Sequence, residues 1–119
     1  MTRLTTHVLD VSAGIPAAGM RIELLATTTS SGSRVVLADV RTNSDGRCPR
    51  ALLEGDAFRA GRYSLVFHVS EYFAARGVAL PDPPFLDRVV VDFGIADASA
   101  HYHVPLLVAP WSYSTYRGS

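Results

Sequence analysis

The chain has 119 residues, 48% of them hydrophobic, and its 11 basic residues balance its 11 acidic ones. A chain of this length can bury one hydrophobic core, so we expect residues 1–119 to form a single domain. The zero net charge predicts no general attraction to nucleic acid or to an anionic membrane. Every basic residue is an arginine, which excludes lysine Schiff-base chemistry.

Cysteine content and hydropathy narrow the possible chemistry and the expected cellular location. Cys48 is the single cysteine, so the chain can form neither an internal disulfide nor a thiolate metal cluster. The first residues have no apolar signal region, and no apolar run approaches the roughly 18 residues of a membrane-spanning helix. We therefore predict a cytoplasmic protein with no membrane partner, in which Cys48 has a packing role.

Short runs of β-forming residues alternate with turn residues along the chain. The pattern predicts strands, in chain order, near residues 4–11, 20–26, 34–41, 61–69, 87–94, 101–109 and 111–117, with a very short one near 50–53. The one helix candidate spans 70–77, with Ser70 as N-cap and Gly77 just past its end. Seven or eight strands at this spacing predict an all-β sandwich or barrel with one short helix.

Alternation of apolar and polar residues assigns faces to the predicted strands. In 61–69 the odd-numbered residues are apolar and belong to the core, so His68 is predicted to face solvent. In 4–11, Leu4 and Val8 lie on one face, whereas His7 and Leu9 lie on the other. His7 is therefore expected on an outward face.

The strand predicted over 101–109 has an unusual outward face. Its core face is apolar and consists of Tyr102, Val104, Leu106 and Val108. The opposite face holds His101, His103, Pro105 and Leu107, and such a mixture of apolar and titratable groups indicates a groove or a subunit contact. Pro105 also favours an edge strand or an interrupted ladder.

Three side chains are candidates for chemistry: His7, His103 and Arg47. Histidine can move a proton near pH 7, and arginine can grip a planar, oxygen-rich ligand. Arg47 ends a tight turn over 43–47 in which Gly46 supplies a positive φ, so a purely structural role stays open. His101 and His103 could ligate a metal, but no third ligand has an evident spacing, so we expect no metal.

Three segments resemble the transthyretin-like 5-hydroxyisourate hydrolases. They are Leu-Thr-Thr-His-Val-Leu-Asp at 4–10, Thr-Asn-Ser-Asp-Gly-Arg at 42–47, and the stretch from His-Tyr-His-Val-Pro at 101–105 to the final Tyr-Arg-Gly-Ser at 116–119. The resemblance implies an eight-stranded, two-sheet sandwich and a homotetramer built as a dimer of dimers. It also implies cofactor-free hydrolysis of 5-hydroxyisourate at its lactam amide, giving 2-oxo-4-hydroxy-4-carboxy-5-ureidoimidazoline.

The same resemblance implies which residues form the site. The catalytic residues would be His7, Arg47 and His103, and the substrate-binding residues would be Tyr116, Arg117, Gly118 and Ser119. His101 also matches the family pattern. Two other interpretations stay open: a binding protein for a small aromatic ligand, in which Leu9, Pro105 and Leu107 dominate, and a non-catalytic interaction module.

Overall fold

The computed structural model describes residues 2–28 and 31–118, which form short strands and one α-helix. The helix, α1, spans Val69–Ala75, and a 3₁₀ turn spans Gly55–Ala57. The strands are β1 (Arg3–Thr5), β2 (Val8–Asp10), β3 (Ile15–Pro16), β4 (Arg21–Thr27), β5 (Arg34–Arg41), β6 (Leu53–Glu54), β7 (Gly61–Phe67), β8 (Val89–Ile95), β9 (Tyr102–His103), β10 (Leu106–Ala109) and β11 (Ser112–Thr115).

One layer is an antiparallel sheet in the order β5-β4-β7-β8. Its central pairing sets Leu24 opposite Leu65, and β5 carries an irregularity opposite Leu24 and Leu25. These four strands match the predicted strands at 20–26, 34–41, 61–69 and 87–94 to within a few residues. The agreement reflects runs of β-forming residues that are bounded by turn residues.

The other layer, which we call the site sheet, contains two long strands that are each interrupted. The predicted strand 4–11 appears as β1 and β2, and the predicted strand 101–109 appears as β9 and β10. Parallel pairing joins β1 to β9 and β2 to β10, and β6, β3 and β11 lie on their flanks. The Val104 N–H donates to the Thr5 carbonyl at 3.0 Å and the Leu106 N–H donates to the His7 carbonyl at 2.9 Å, so hydrogen bonds cross the interruption.

The two layers enclose an apolar core between them. Its fully buried members come from both sheets and include Leu4, Val8, Ile22, Leu24, Leu65, Phe67, Leu106 and Val108. The predicted core residues of 101–109 are all buried, and Leu4 and Val8 lie opposite the half-buried His7. The predicted all-β sandwich with one short helix is confirmed.

The helix begins at Val69, and its N-cap is His68 rather than the predicted Ser70. The Ser70 hydroxyl instead donates to Asp87 at 2.7 Å. Gly77 does follow the helix, at a φ of 81°. The Gly77 N–H donates to Ala74 O at 3.0 Å and the Val78 N–H donates to Phe73 O at 3.1 Å, which closes the end as a Schellman motif.

The prediction of a solvent-facing His68 was wrong, because this side chain is only 6% exposed. Its Nε2 lies 2.6 Å from a Glu23 carboxylate oxygen and its Nδ1 lies 3.3 Å from one of Glu71. Alternation fails here because β7 ends at Phe67 and the chain turns into α1. Pro105, which was also assigned outward, is buried, while Leu107 on the same face is half-buried.

Candidate functional site

Two histidines form a contact at the interruption of the site sheet. His7 Nδ1 lies 2.8 Å from His103 Nε2, and the two rings are stacked with centroids 5.0 Å apart. The other ring nitrogen of His103, Nδ1, lies 2.7 Å from the Thr5 hydroxyl. Both nitrogens of His103 are thus engaged, whereas His7 Nε2 makes no hydrogen bond to residues 2–28 or 31–118.

The strand pairing explains this arrangement. β1 and β9 run parallel with Thr5 opposite His103, so the Thr5 and His103 side chains emerge side by side on the outward face. His7 lies two residues further on, in the break between β1 and β2, and its side chain faces the same way. The parallel pairing of β1 with β9 therefore places three polar side chains in one row on the outward face of the site sheet.

Arg47 reaches the same place through the turn over 43–47. The Asn43 side-chain oxygen accepts from the N–H of Asp45 at 2.9 Å and from the N–H of Arg47 at 3.2 Å. Gly46 has a φ of 73°, and its carbonyl accepts from the Val8 N–H at 2.8 Å. A Cβ at Gly46 would overlap the Val8 carbonyl oxygen, so only glycine lets this turn approach β2 closely enough for Arg47 to pair with His7.

His101, His103 and two arginines border an open cavity of about 450 Å³, whereas His7 is not among the residues that line it. The lining residues are Arg3, Thr5, Arg47, His101, His103, Tyr116 and Gly118. A second cavity of about 350 Å³ shares Arg3, Thr5 and Arg47 and extends toward Cys48 and Arg50. The cavity has room for a small planar molecule, and arginines border it.

The C-terminal tail returns to the histidine pair. The Gly118 N–H donates to the His103 carbonyl at 2.7 Å, and Tyr116 lines the cavity. Arg117 turns away: its guanidinium lies 4.0 Å from the centre of the Tyr102 ring and donates to the His101 carbonyl at 3.3 Å. Ser119 lies outside the described residues. Of the three predicted substrate-binding residues that the structure describes, Tyr116 and Gly118 border this cavity.

Burial and nearby positive charge act together on the two histidines. Burial, and then the charge of Arg47, lower the pKa of His7 below its usual 6.5. The pKa of His103 is also lowered, first by burial and then by the charges of His7, Arg47 and His101. Both rings are therefore neutral near pH 7, the state in which one nitrogen of each can accept a proton.

Sequence reasoning missed two residues of this site, Arg3 and Thr5. Thr5 shares the outward face of His7 by simple parity, and that was the signal available for it. Cys48 is half-buried, and burial raises the pKa of its thiol to about 11, in keeping with a packing role. Within residues 2–28 and 31–118, no three His, Cys, Asp or Glu side chains converge as a metal site requires.

The fold and the site define a two-sheet β-sandwich of the transthyretin type that carries a histidine pair and an arginine on one sheet. A profile of the HIUase/Transthyretin family matches residues 4–118, and the chain belongs to this family. A relative from Ralstonia nicotianae, named 5-hydroxyisourate hydrolase, is 59% identical over the full length of both chains.

Solved structures with the same fold include two enzymes and a transthyretin. A structure titled (S)-allantoin synthase has a TM-score of 0.93 at 44% identity over 99% of this chain, and the chain spans 44% of that protein's length. The Klebsiella pneumoniae 5-hydroxyisourate hydrolase has a TM-score of 0.80 at 36% identity, with full coverage of both chains. Sea bream transthyretin in complex with thyroxine has a TM-score of 0.87 at 26% identity over 98% of this chain and 94% of that one.

Proposed function

We propose that this protein is a 5-hydroxyisourate hydrolase. It opens the ring of its substrate at the lactam amide to give 2-oxo-4-hydroxy-4-carboxy-5-ureidoimidazoline, and residues 1–119 act as one hydrolase domain. The observation that carries the proposal is the 2.8 Å contact between His7 and His103 beside an arginine-lined cavity. Two relatives named for this activity, from Ralstonia nicotianae and Pseudomonas aeruginosa, are 59% and 55% identical to the chain over its full length.

The roles of the histidines follow from their free nitrogens. His7 Nε2 has no hydrogen-bond partner among the described residues, so it is the nitrogen that can take a proton from an attacking water. His103 is the orienting partner, because its Nε2 holds His7 and its Nδ1 is held by Thr5. The lowered pKa of each ring keeps the pair neutral and ready to accept that proton.

The remaining groups bind the substrate and its developing charge. As the water oxygen adds to the amide carbonyl carbon, negative charge develops on the carbonyl oxygen, and the Arg47 guanidinium stabilises it. The carbon–nitrogen bond of the amide then breaks, and His7 returns its proton to the departing nitrogen. Tyr116 and Gly118 border the cavity and contact the ring of the substrate. Arg117 and Ser119 are the other two tail residues of the proposed substrate-binding set. The reaction needs no cofactor and no metal.

Ultraviolet spectroscopy of freshly generated 5-hydroxyisourate tests the proposal. We expect its decay to be much faster with the purified protein than in buffer, with or without a chelator. His103→Asn should lower turnover roughly 10²-fold or more while the melting temperature changes little, because the ring makes its contacts outside the apolar core. A decay rate equal to that in buffer would reject the enzyme, and a strong loss on chelation would reject its independence of metal.

Assembly into a homotetramer, a dimer of dimers, is part of the proposal. An apolar row crosses the outward face of the site sheet, where Leu107 pairs with Leu9 and Leu9 with Pro16. Such a row favours contact with a second copy over contact with water.

In the described part of the chain, no helix is long and apolar enough to cross a membrane. We place the enzyme in the cytoplasm, with no nucleic-acid partner.

One observation favours a second function, the binding of a small aromatic ligand. Sea bream transthyretin, whose fold this chain shares, was solved in complex with thyroxine. Binding of thyroxine without hydrolysis of 5-hydroxyisourate, unaffected by His103→Asn, would favour this alternative. Two stacked neutral histidines beside arginine favour hydrolysis instead, because a ligand carrier has no need of a proton acceptor.

A further inference from the structure

The Thr5 hydroxyl makes a close polar contact that the reaction itself does not explain. Its Oγ1 lies 2.7 Å from His103 Nδ1, on the side of the ring opposite to His7. The neighbouring threonine, Thr6, points into the core and donates to the Val104 carbonyl at 2.6 Å. Thr5, the last residue of β1, and the adjacent Thr6 thus have different partners, and the outward Thr5 contacts the histidine pair.

The row Thr5–His103–His7 can be polarised in two directions, because a neutral imidazole carries one proton. If His103 carries it on Nε2, that N–H donates to His7 Nδ1, and His7 must then carry its own proton on Nε2. If His103 carries it on Nδ1, His7 donates from Nδ1 and its Nε2 lone pair is free. Only the second direction leaves His7 able to accept a proton from water.

The contact between His103 Nδ1 and Thr5 is compatible with the second direction. The Thr5 hydroxyl makes no other hydrogen bond among the described residues and can accept one from the Nδ1–H of His103. His103 Nε2 faces His7 Nδ1, and acceptance at this Nε2 leaves the His7 Nε2 lone pair free for water.

We propose that Thr5 is a positioning residue: it holds the Nδ1–H of His103, so that His103 Nε2 accepts from His7 and His7 Nε2 is left as the free base. This inference rests on the proposed hydrolysis, since it names the residue that prepares its base. A group that fixes the orientation of a catalytic histidine in this way typically affects activity by about 10- to 100-fold. The effect falls on turnover, because the Thr5 contact is to the histidine.

Thr5→Val tests the proposal, since it removes the hydroxyl and keeps the side-chain volume. We expect kcat to fall about tenfold or more with KM nearly unchanged. Nitrogen-15 NMR of the imidazole rings should show His103 protonated on Nδ1 in the unaltered protein and shifted toward the Nε2 form in Thr5→Val. Thr5→Ser, which keeps the hydroxyl, should restore both the turnover and the nitrogen signals.

Thr6→Val is the matched control, one residue away on the opposite face. It should lower the melting temperature, because the buried Val104 carbonyl loses its donor, and leave the His103 nitrogen signals unchanged. Unaltered turnover and unaltered nitrogen signals in Thr5→Val would overturn the proposal, and so would a raised KM with kcat intact, the mark of a direct substrate contact. The NMR reading needs no turnover, so a protein inactive toward 5-hydroxyisourate would reject the proposed function without deciding the role of Thr5.

Discussion

At the scale of single residues, the charge of Arg47 is coupled to the two histidines. It contributes to holding the pKa of each below 6.5, after the larger effect of burial. A base works only when it is unprotonated, so a lower pKa extends activity to lower pH. In the proposed reaction Arg47 would therefore have two effects: its charge would stabilise the transition state, and it would help to keep the base unprotonated.

Arg47→Gln should separate these effects in a pH profile of kcat/KM. Loss of the charge raises the pKa of His7, so the acid limb of the profile should move to higher pH. The maximum should also fall, by about 10²- to 10³-fold if Arg47 stabilises the developing oxyanion. Arg50→Gln, at the far end of the neighbouring cavity, is the control and should leave the limb in place. If the acid limb of the Arg47→Gln profile is unshifted, or shifted to lower pH, the coupling between Arg47 and the pKa of His7 is contradicted.

His68 presents the opposite case, a histidine whose role is structural. It is buried between Glu23 and Glu71, away from the cavity. His68→Asn should lower the free energy of unfolding by roughly 1–3 kcal/mol, because the half-buried Glu23 carboxylate loses its nearest hydrogen-bond partner. Turnover of the folded protein should be retained. Urea unfolding at fixed protein concentration measures the loss, and Glu71→Gln, at the exposed partner, should cost less than about 1 kcal/mol.

At the scale of elements, the C-terminal tail after β11 determines the position of the histidine pair. A Cβ at Gly118 would lie 2.8 Å from His103 Cδ2 and 3.4 Å from its Cγ. The His103 ring cannot easily turn aside, because both of its nitrogens are held. The glycine is therefore required for close approach of the tail, and not for an unusual backbone angle.

Gly118→Ala should displace either the tail or the His103 ring. We expect turnover to fall at least about tenfold, since small displacements of a catalytic group are costly. The melting temperature should change little, because the tail residues before Gly118 are exposed. Gly94→Ala in β8 is the control, as its Cβ would meet only an ordinary contact at 3.9 Å. Full turnover in Gly118→Ala would show that the tail does not constrain the pair.

At the scale of the whole molecule, the outward face of the site sheet is too apolar for a surface in water. Besides the row of Leu107, Leu9 and Pro16, the ends of β2 and β10 lead to exposed Val11 and Trp111, which are 49% and 68% exposed. The candidate site lies on this same layer. A second pair of chains packed here would cover the apolar row and border the cavity.

Native mass spectrometry should accordingly give four times the mass of the chain. Leu107→Arg places a charge within the apolar row, so we expect it to reduce the tetramer and the turnover together. Val36→Arg, on the exposed edge strand β5 of the other layer, should affect neither. A stable monomer with full activity would contradict an intersubunit site.

The sequence by itself determined most of the strands, the faces of 4–11 and of 101–109 except at Pro105, and the turn that carries Arg47. These features are local: alternation with a period of two sets the faces, and a positive φ at Gly46 sets the turn. Only the tertiary structure decided which groups meet. Parallel pairing of β1 with β9 brought Thr5 to His103 across 98 positions of sequence, and the end of β7 buried His68. Strand register and chain reversal depend on the packing of distant segments, which no local pattern contains.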